Sequence, residues 1–121
     1  MAKLVIAEDS RFMLRLLQAT VKKGGYEGIA CRDGVEALAA IRAHGADLVL
    51  LDLIMPRMGG LATLAELKRD PATAGIPVVV LTSRGEALSR EESEASGAAA
   101  FLTKPFSPNA LLETIKNLIN E

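Results

Sequence analysis

The chain is predicted to fold as a doubly wound α/β domain built on a five-stranded parallel sheet. Three observations carry that prediction. Five short apolar runs alternate with five stretches of helical periodicity. Three of those runs are apolar throughout, as strands covered on both faces are. The residues that close the runs are acids, hydroxyls and a lysine, the chemistry expected at the ligand-binding rim of an open parallel sheet.

The first run is Leu4-Val5-Ile6-Ala7, closed by Glu8-Asp9-Ser10. The helix after it places Met13, Leu16, Leu17 and Val21 on one face, with Ser10 or Asp9 as N-cap and Gly24-Gly25 as its stop. Residues 26–31 form a weaker strand, broken twice in its apolar character. Asp33 and Glu36 have the spacing of a capping box, and the helix behind them turns Ala37, Leu38 and Ile41 inward before stopping near Gly45. Leu48-Val49-Leu50-Leu51 is the third strand and ends at Asp52; Pro56 and Gly59-Gly60 then force a loop. Leu61, Leu64 and Lys68 repeat at helical spacing, Leu67 widens the apolar face, and Asp70-Pro71 closes the helix. Residues 76–81 hold three consecutive valines, make the strongest strand and end at Thr82-Ser83. A polar helix is expected over 86–96, ended by Gly97. Residues 98–102 form a short strand of small residues that ends at Thr103-Lys104-Pro105. Ser107 as N-cap and Pro108 at the first helical position open a last helix, amphipathic through Leu111, Leu112, Ile115, Leu118 and Ile119.

The fully apolar first, third and fourth strands suit the sheet centre, and the weak second and fifth suit its edges. That distribution matches the order 2-1-3-4-5, already known for flavodoxin-like sheets and taken here from that precedent. A length of 121 residues suits one domain, 1–121. Half the residues are hydrophobic and few are aromatic, so the core is Val, Leu, Ile and Ala. The net charge of −1 and the lack of a basic block argue against direct nucleic-acid binding. A single cysteine, Cys31, excludes an internal disulfide and fits a reducing compartment; it reads as a small, partly buried filler. No apolar stretch reaches the length of a membrane span, and Met1-Ala2-Lys3 runs straight into a strand, so neither a membrane role nor a signal peptide is expected. The expected location is the cytoplasm. His44 reads as a helix C-terminal residue, and Met55 and Met58 as packing around the site loop.

Parallel strands bring their carboxyl ends to one rim. Glu8 and Asp9 follow the first strand, Asp52 the third, Thr82 and Ser83 the fourth, and Lys104 the fifth. Each alone reads as a cap or a solvated charge, but their convergence reads as a site. Three clustered carboxylates need cations. Lys104 is one, and all-oxygen ligation shared with a phosphate suits Mg²⁺ as another. A carboxylate such as Asp52 can attack phosphorus and form an aspartyl phosphate. Mg²⁺ and Lys104 would neutralise the incoming oxygens, and the Thr82 hydroxyl would donate to them. Ile54 can offer only its backbone carbonyl.

On Glu8-Asp9, Asp52 with Met55-Pro56 and Gly59-Gly60, Thr82-Ser83 and Lys104-Pro105-Phe106, the chain from about Lys3 onward resembles the receiver domain of two-component response regulators, in particular single-domain ones like the chemotaxis regulator. The resemblance implies that Asp52 takes phosphate from a phosphohistidine of a histidine kinase or histidine phosphotransfer protein. It implies Mg²⁺ held by Asp9, Asp52 and the Ile54 carbonyl, with Glu8 acting through water, and a cis Lys104–Pro105 bond. Thr82 and Phe101 stand where the family moves a threonine toward the phosphate and turns an aromatic residue inward. Ile54 and Arg84 stand where the family sets the rate of phosphate loss, and their bulk is expected to shield the phosphate. The helix over 86–96, the fifth strand and the last helix form the family's face for a downstream protein partner, locally acidic here through Glu86, Glu91, Glu92 and Glu94. The chain is thus expected to be a regulator and not an enzyme that turns over a substrate. Other readings fare worse. A haloacid-dehalogenase-type phosphatase needs an acid where Ile54 stands. A flavodoxin-like electron carrier would set its FMN phosphate against Glu8 and Asp9. The runner-up is a receiver-like interaction module that works without phosphorylation, against which stand Asp52, Thr82 and Lys104.

Overall fold

A computed structural model describes residues 1–83, 92 and 95–119. Its strands are β1 (Lys3–Ala7), β2 (Glu27–Cys31), β3 (Leu48–Asp52), β4 (Val78–Thr82) and β5 (Ala100–Thr103). Its helices among the described residues are α1 (Arg11–Lys23), α2 (Gly34–His44), α3 (Gly60–Arg69) and α4 (Pro108–Ile119). The helix expected over 86–96 falls largely on residues outside those described. All four strand pairings are parallel, in the order β2-β1-β3-β4-β5. Both central strands after β1 are buried at every position, which is why they carry no polar residue before their last one.

Alternation along the strands divides the core into two layers. Val5, Val49, Leu51, Val78 and Val80 meet Ala37, Leu38 and Ile41 of α2 and Leu64 and Leu67 of α3. Leu4, Ile6, Leu48, Leu50, Val79 and Leu81 meet Leu14, Leu17 and Val21 of α1 and Leu111 and Ile115 of α4. Each such Val, Leu or Ile side chain contributes about 1.5–3 kcal/mol by leaving water. Helix ends follow their sequence signals. The Ser10 hydroxyl accepts from Met13 N–H, Asp33 accepts from Glu36 N–H, and Ser107 accepts from Ala110 N–H.

Three expectations change in detail. The buried face of α1 is Leu14, Leu17, Thr20 and Val21, while Leu16 and Phe12 are exposed. Apolar residues at 12, 13, 14, 16 and 17 leave the helix phase ambiguous, and packing on β1 settles it. The capping box at α2 is also not reciprocal in the expected way, because Glu36 accepts from Arg32 N–H and not from the N-cap. Cys31 is fully buried; burial first, then Glu36 and Asp33, push its thiol up to about 11. It is therefore an inert filler.

Candidate functional site

The site stands where β1, β3, β4 and β5 end together. The sheet carries one step past β1, with Glu8 N–H donating to Cys31 O at 3.0 Å, and one step past β3, with Leu53 N–H donating to Leu81 O at 3.0 Å. Glu8 and Asp52 are thus held by the sheet's own ladder, and both are buried. Asp9, one residue further on, is exposed. One oxygen each of Glu8, Asp9 and Asp52 lie within 4.8 Å of one another, a spacing that could hold a metal ion.

Lys104 enters this cluster from the end of β5. Its backbone N–H donates to Thr82 O at 2.6 Å, and the Lys104–Pro105 peptide is cis. Its ammonium donates to Glu8 Oε1 at 2.8 Å and to Asp52 Oδ1 at 3.1 Å. Burial alone would lower the lysine's pKa. The bonds to the two carboxylates outweigh it, and the net direction is upward, so Lys104 stays charged. The other oxygen of Glu8 accepts from Ser10 N–H at 3.0 Å, and Asp52 Oδ1 also accepts from Leu53 N–H at 3.0 Å. Among the described residues no buried side-chain polar atom lacks a partner.

Of the residues singled out in the sequence, Glu8, Asp9, Asp52 and Lys104 come together here. Thr82 ends β4 beside them, buried and level with Thr103 of β5, and Ser83 follows it half-buried. Ile54 is 60 % exposed in the loop after β3. Phe101 is half-buried and packs against the α2–α3 layer, opposite Val80. Arg84 lies outside the described residues, as do Glu86, Glu91 and Glu94.

A second charged cluster was not anticipated. Arg57 Nε donates to Asp33 Oδ2 at 2.7 Å, and its NH2 lies 3.8 Å from Glu36 Oε2. The Arg57 hydrogen bond, opposed by burial, holds the Asp33 carboxyl below its usual range. Asp33 reads in the sequence only as a helix cap. The available signal was an arginine between Pro56 and the Gly59-Gly60 pair, where a turn must form. A cleft of about 320 Å³ lined by Asp9, Arg32, Asp33, Glu36, Pro56 and Arg57 joins this cluster to the acidic one.

Comparison with known proteins agrees with this geometry. Residues 4–116 match the family described as the response regulator receiver domain. The polar-differentiation response regulator DivK of Brucella anthropi is 33 % identical over 117 residues, covering 97 % of this chain and 95 % of DivK. Among solved structures, the chemotaxis response regulator CheY4 of Vibrio cholerae superposes with a TM-score of 0.89 at 30 % identity, covering 98 % of each chain. A response regulator receiver domain protein from Clostridium thermocellum gives 0.90 at 26 % identity, over 99 % of this chain and 95 % of that one. With its acidic cluster at the end of β1 and β3 and its match over nearly the whole length, the chain belongs to the response regulator receiver domain family.

Proposed function

We propose that the protein is a phosphoryl-accepting signalling switch whose acceptor is Asp52. The observation that carries this reading is a buried carboxylate at the end of a central strand, paired with Lys104 and clustered with Glu8 and Asp9. An Asp52 oxygen attacks the phosphorus of a phosphohistidine on a histidine kinase or histidine phosphotransfer protein. The P–N bond breaks, its electron pair returns to the imidazole, which takes up a proton, and an acyl phosphate remains on Asp52. Such a transfer needs positioning and charge neutralisation more than covalent help. Lys104 would follow the phosphoryl oxygens with its ammonium, and the Thr82 hydroxyl would donate to them.

The donor set also fits Mg²⁺, a hard cation that takes oxygen ligands and keeps several waters. Asp9, Asp52 and the Ile54 carbonyl would hold it. Both oxygens of Glu8 are already engaged, by Lys104 and by Ser10 N–H, which supports a role through water. When bound, the ion supplies positive charge to the phosphoryl oxygens. For output, Thr82 moves toward the phosphate and Phe101 turns further inward. Phe101 is only half-buried at rest, so it still has apolar surface to lose to the core. Its movement changes the face at β5 and α4, where a downstream protein docks; the 86–96 part of the expected docking face lies largely outside the described residues. Ile54 and Arg84 slow the loss of phosphate. The protein promotes its own phosphorylation and dephosphorylation, turns over no other substrate, binds no nucleic acid directly and acts in the cytoplasm. No helix among the described residues is long and apolar enough to cross a membrane.

Incubation with MgCl₂ and acetyl phosphate, read by intact mass, tests this reading. One phosphoryl group is expected on the wild-type chain and none on Asp52→Asn. A folded wild-type chain that stays unmodified would instead be a phosphorylation-independent interaction module.

A further inference from the structure

We propose that Arg57 is a positioning residue for the metal and phosphoacceptor site, acting through Asp33 to pin the loop after Asp52 onto the first turn of α2. The inference rests on the reading above, in which that loop contributes to a divalent-cation site. The ends of the loop are closed by the sheet and by α3: Leu53 N–H donates to Leu81 O, and Gly60 N–H donates to Leu53 O at 2.8 Å. Its far side is tied to α2. Gly34 N–H donates to Met58 O at 3.1 Å, and Arg57 reaches Asp33 and Glu36 with its guanidinium. A side chain at 34 would run into Thr63 Oγ1 and the Met58 carbonyl, so a glycine permits this approach.

Two features separate this clamp from an ordinary surface ion pair. First, the Asp33 carboxylate is buried and already fixed, because its other oxygen caps α2 through Glu36 N–H at 2.9 Å. Arg57 therefore docks on a rigid acceptor. Second, Arg57 has φ 62, the one left-handed non-glycine backbone among the described residues. Met58 N–H donates to Pro56 O at 2.6 Å across it, which closes a three-residue turn. A side chain leaves that region unless its surroundings hold it there. The pair with Asp33 supplies the hold, and the turn it holds fixes the path of the backbone that starts at Asp52 and passes through Ile54. The cleft shared by Asp9 and Arg57 places the clamp next to the acidic cluster. Asp33 and Glu36 offset the guanidinium charge, so Arg57 can stand there without repelling a cation at Asp9.

Calorimetric titration of the unphosphorylated full chain with MgCl₂ tests the clamp. Arg57→Gly removes the guanidinium and leaves no backbone strain, since glycine accepts positive φ. Asp33→Asn keeps a cap acceptor for α2 and removes the charge. Each is expected to weaken Mg²⁺ binding about tenfold, as loss of a group that orients metal ligands does. The double variant should be no weaker than the weaker single one, because both remove the same contact. Arg57→Gly leaves the buried Asp33 carboxylate its bond from Glu36 N–H and relieves the positive φ at 57, so its thermal midpoint is expected to fall only modestly while Mg²⁺ affinity falls more. Wild-type affinity in Arg57→Gly, or losses that multiply in the double variant, would overturn the clamp while leaving the site reading intact. A wild-type chain that binds no Mg²⁺ would remove both.

Discussion

Gly60 has almost no freedom to become anything else. A Cβ there would meet the carbonyl oxygen of Asp52 and lie 2.9 Å from Leu53 Cα and 3.2 Å from Asp52 C. All of these are backbone atoms at the end of β3 and just past it, so the conflict can be relieved only by moving the backbone at Asp52 and Leu53. Gly60→Ala is expected to cost about 3 kcal/mol and to reduce phosphorylation of Asp52 together with stability. Gly75 is the control, since a Cβ there meets nothing within 4 Å and its φ is ordinary. Gly75→Ala should be neutral or stabilise by up to about 1 kcal/mol, through a stiffer unfolded chain. Urea denaturation of both against wild type decides, and equal effects would refute the packing argument. At this scale the sequence is only partly legible. Gly59-Gly60 reads as a loop signal, yet the positive φ in this loop falls on Arg57 and Gly60 is needed for close approach. A turn signal says that the chain must bend, not which residue takes the strain. The Arg57–Asp33 pair joins residues 24 positions apart, and no local pattern contains it.

Elements were more legible, because burial imposes a period that a single residue does not show. Five strands and their parallel pairing follow from the apolar runs and their alternation with helices, while the order matches the flavodoxin-like precedent, with the weak β2 and β5 at the edges. Where a helix is apolar on several sides, its phase is lost. The α1 sequence reads with Leu16 and Leu17 both on the inward face, but the fold buries Leu17 and leaves Leu16 43 % exposed. Leu17→Ala is expected to cost about 3 kcal/mol, within the range for a buried leucine that leaves a cavity. Leu16→Ala should cost less than about 1 kcal/mol, since alanine is the better helix former and little burial is lost. Thermal unfolding of the two variants tests the assignment, and a larger loss from Leu16→Ala would reverse it. Strand limits shift for a related reason. The run at 76–81 begins in a turn, with Ile76 N–H donating to Thr73 O, and β4 extends to include Thr82. Apolar character marks where a strand is buried, whereas the hydrogen-bond ladder marks where it ends.

For the whole molecule, the parallel sheet turns distance along the chain into proximity at one rim. Lys104 reaches Glu8 across 96 residues and Asp52 across 52. That meeting was legible, since all five strands must end on the same side. How the charges are shared was not, and the structure gives the ammonium to two carboxylates at once. Lys104 therefore supplies to Glu8 and Asp52 positive charge of the kind that a divalent cation would also supply. Replacing it by the similarly long Lys104→Met leaves Glu8 and Asp52 buried without that charge. Breaking a buried pair in this way costs about 3–5 kcal/mol, so the metal-free variant is expected to unfold at markedly lower temperature than wild type. A cation that binds only the folded chain adds stability according to its concentration and affinity. In the variant it no longer shares the carboxylates with an ammonium, so MgCl₂ should raise its midpoint by more than it raises that of wild type. Thermal scans of both proteins with EDTA and with a series of MgCl₂ concentrations measure the difference. A variant as stable as wild type in EDTA would show that the ammonium is not needed to offset the buried acids. An equal or smaller gain from MgCl₂ would show that lysine and metal do not draw on the same carboxylates.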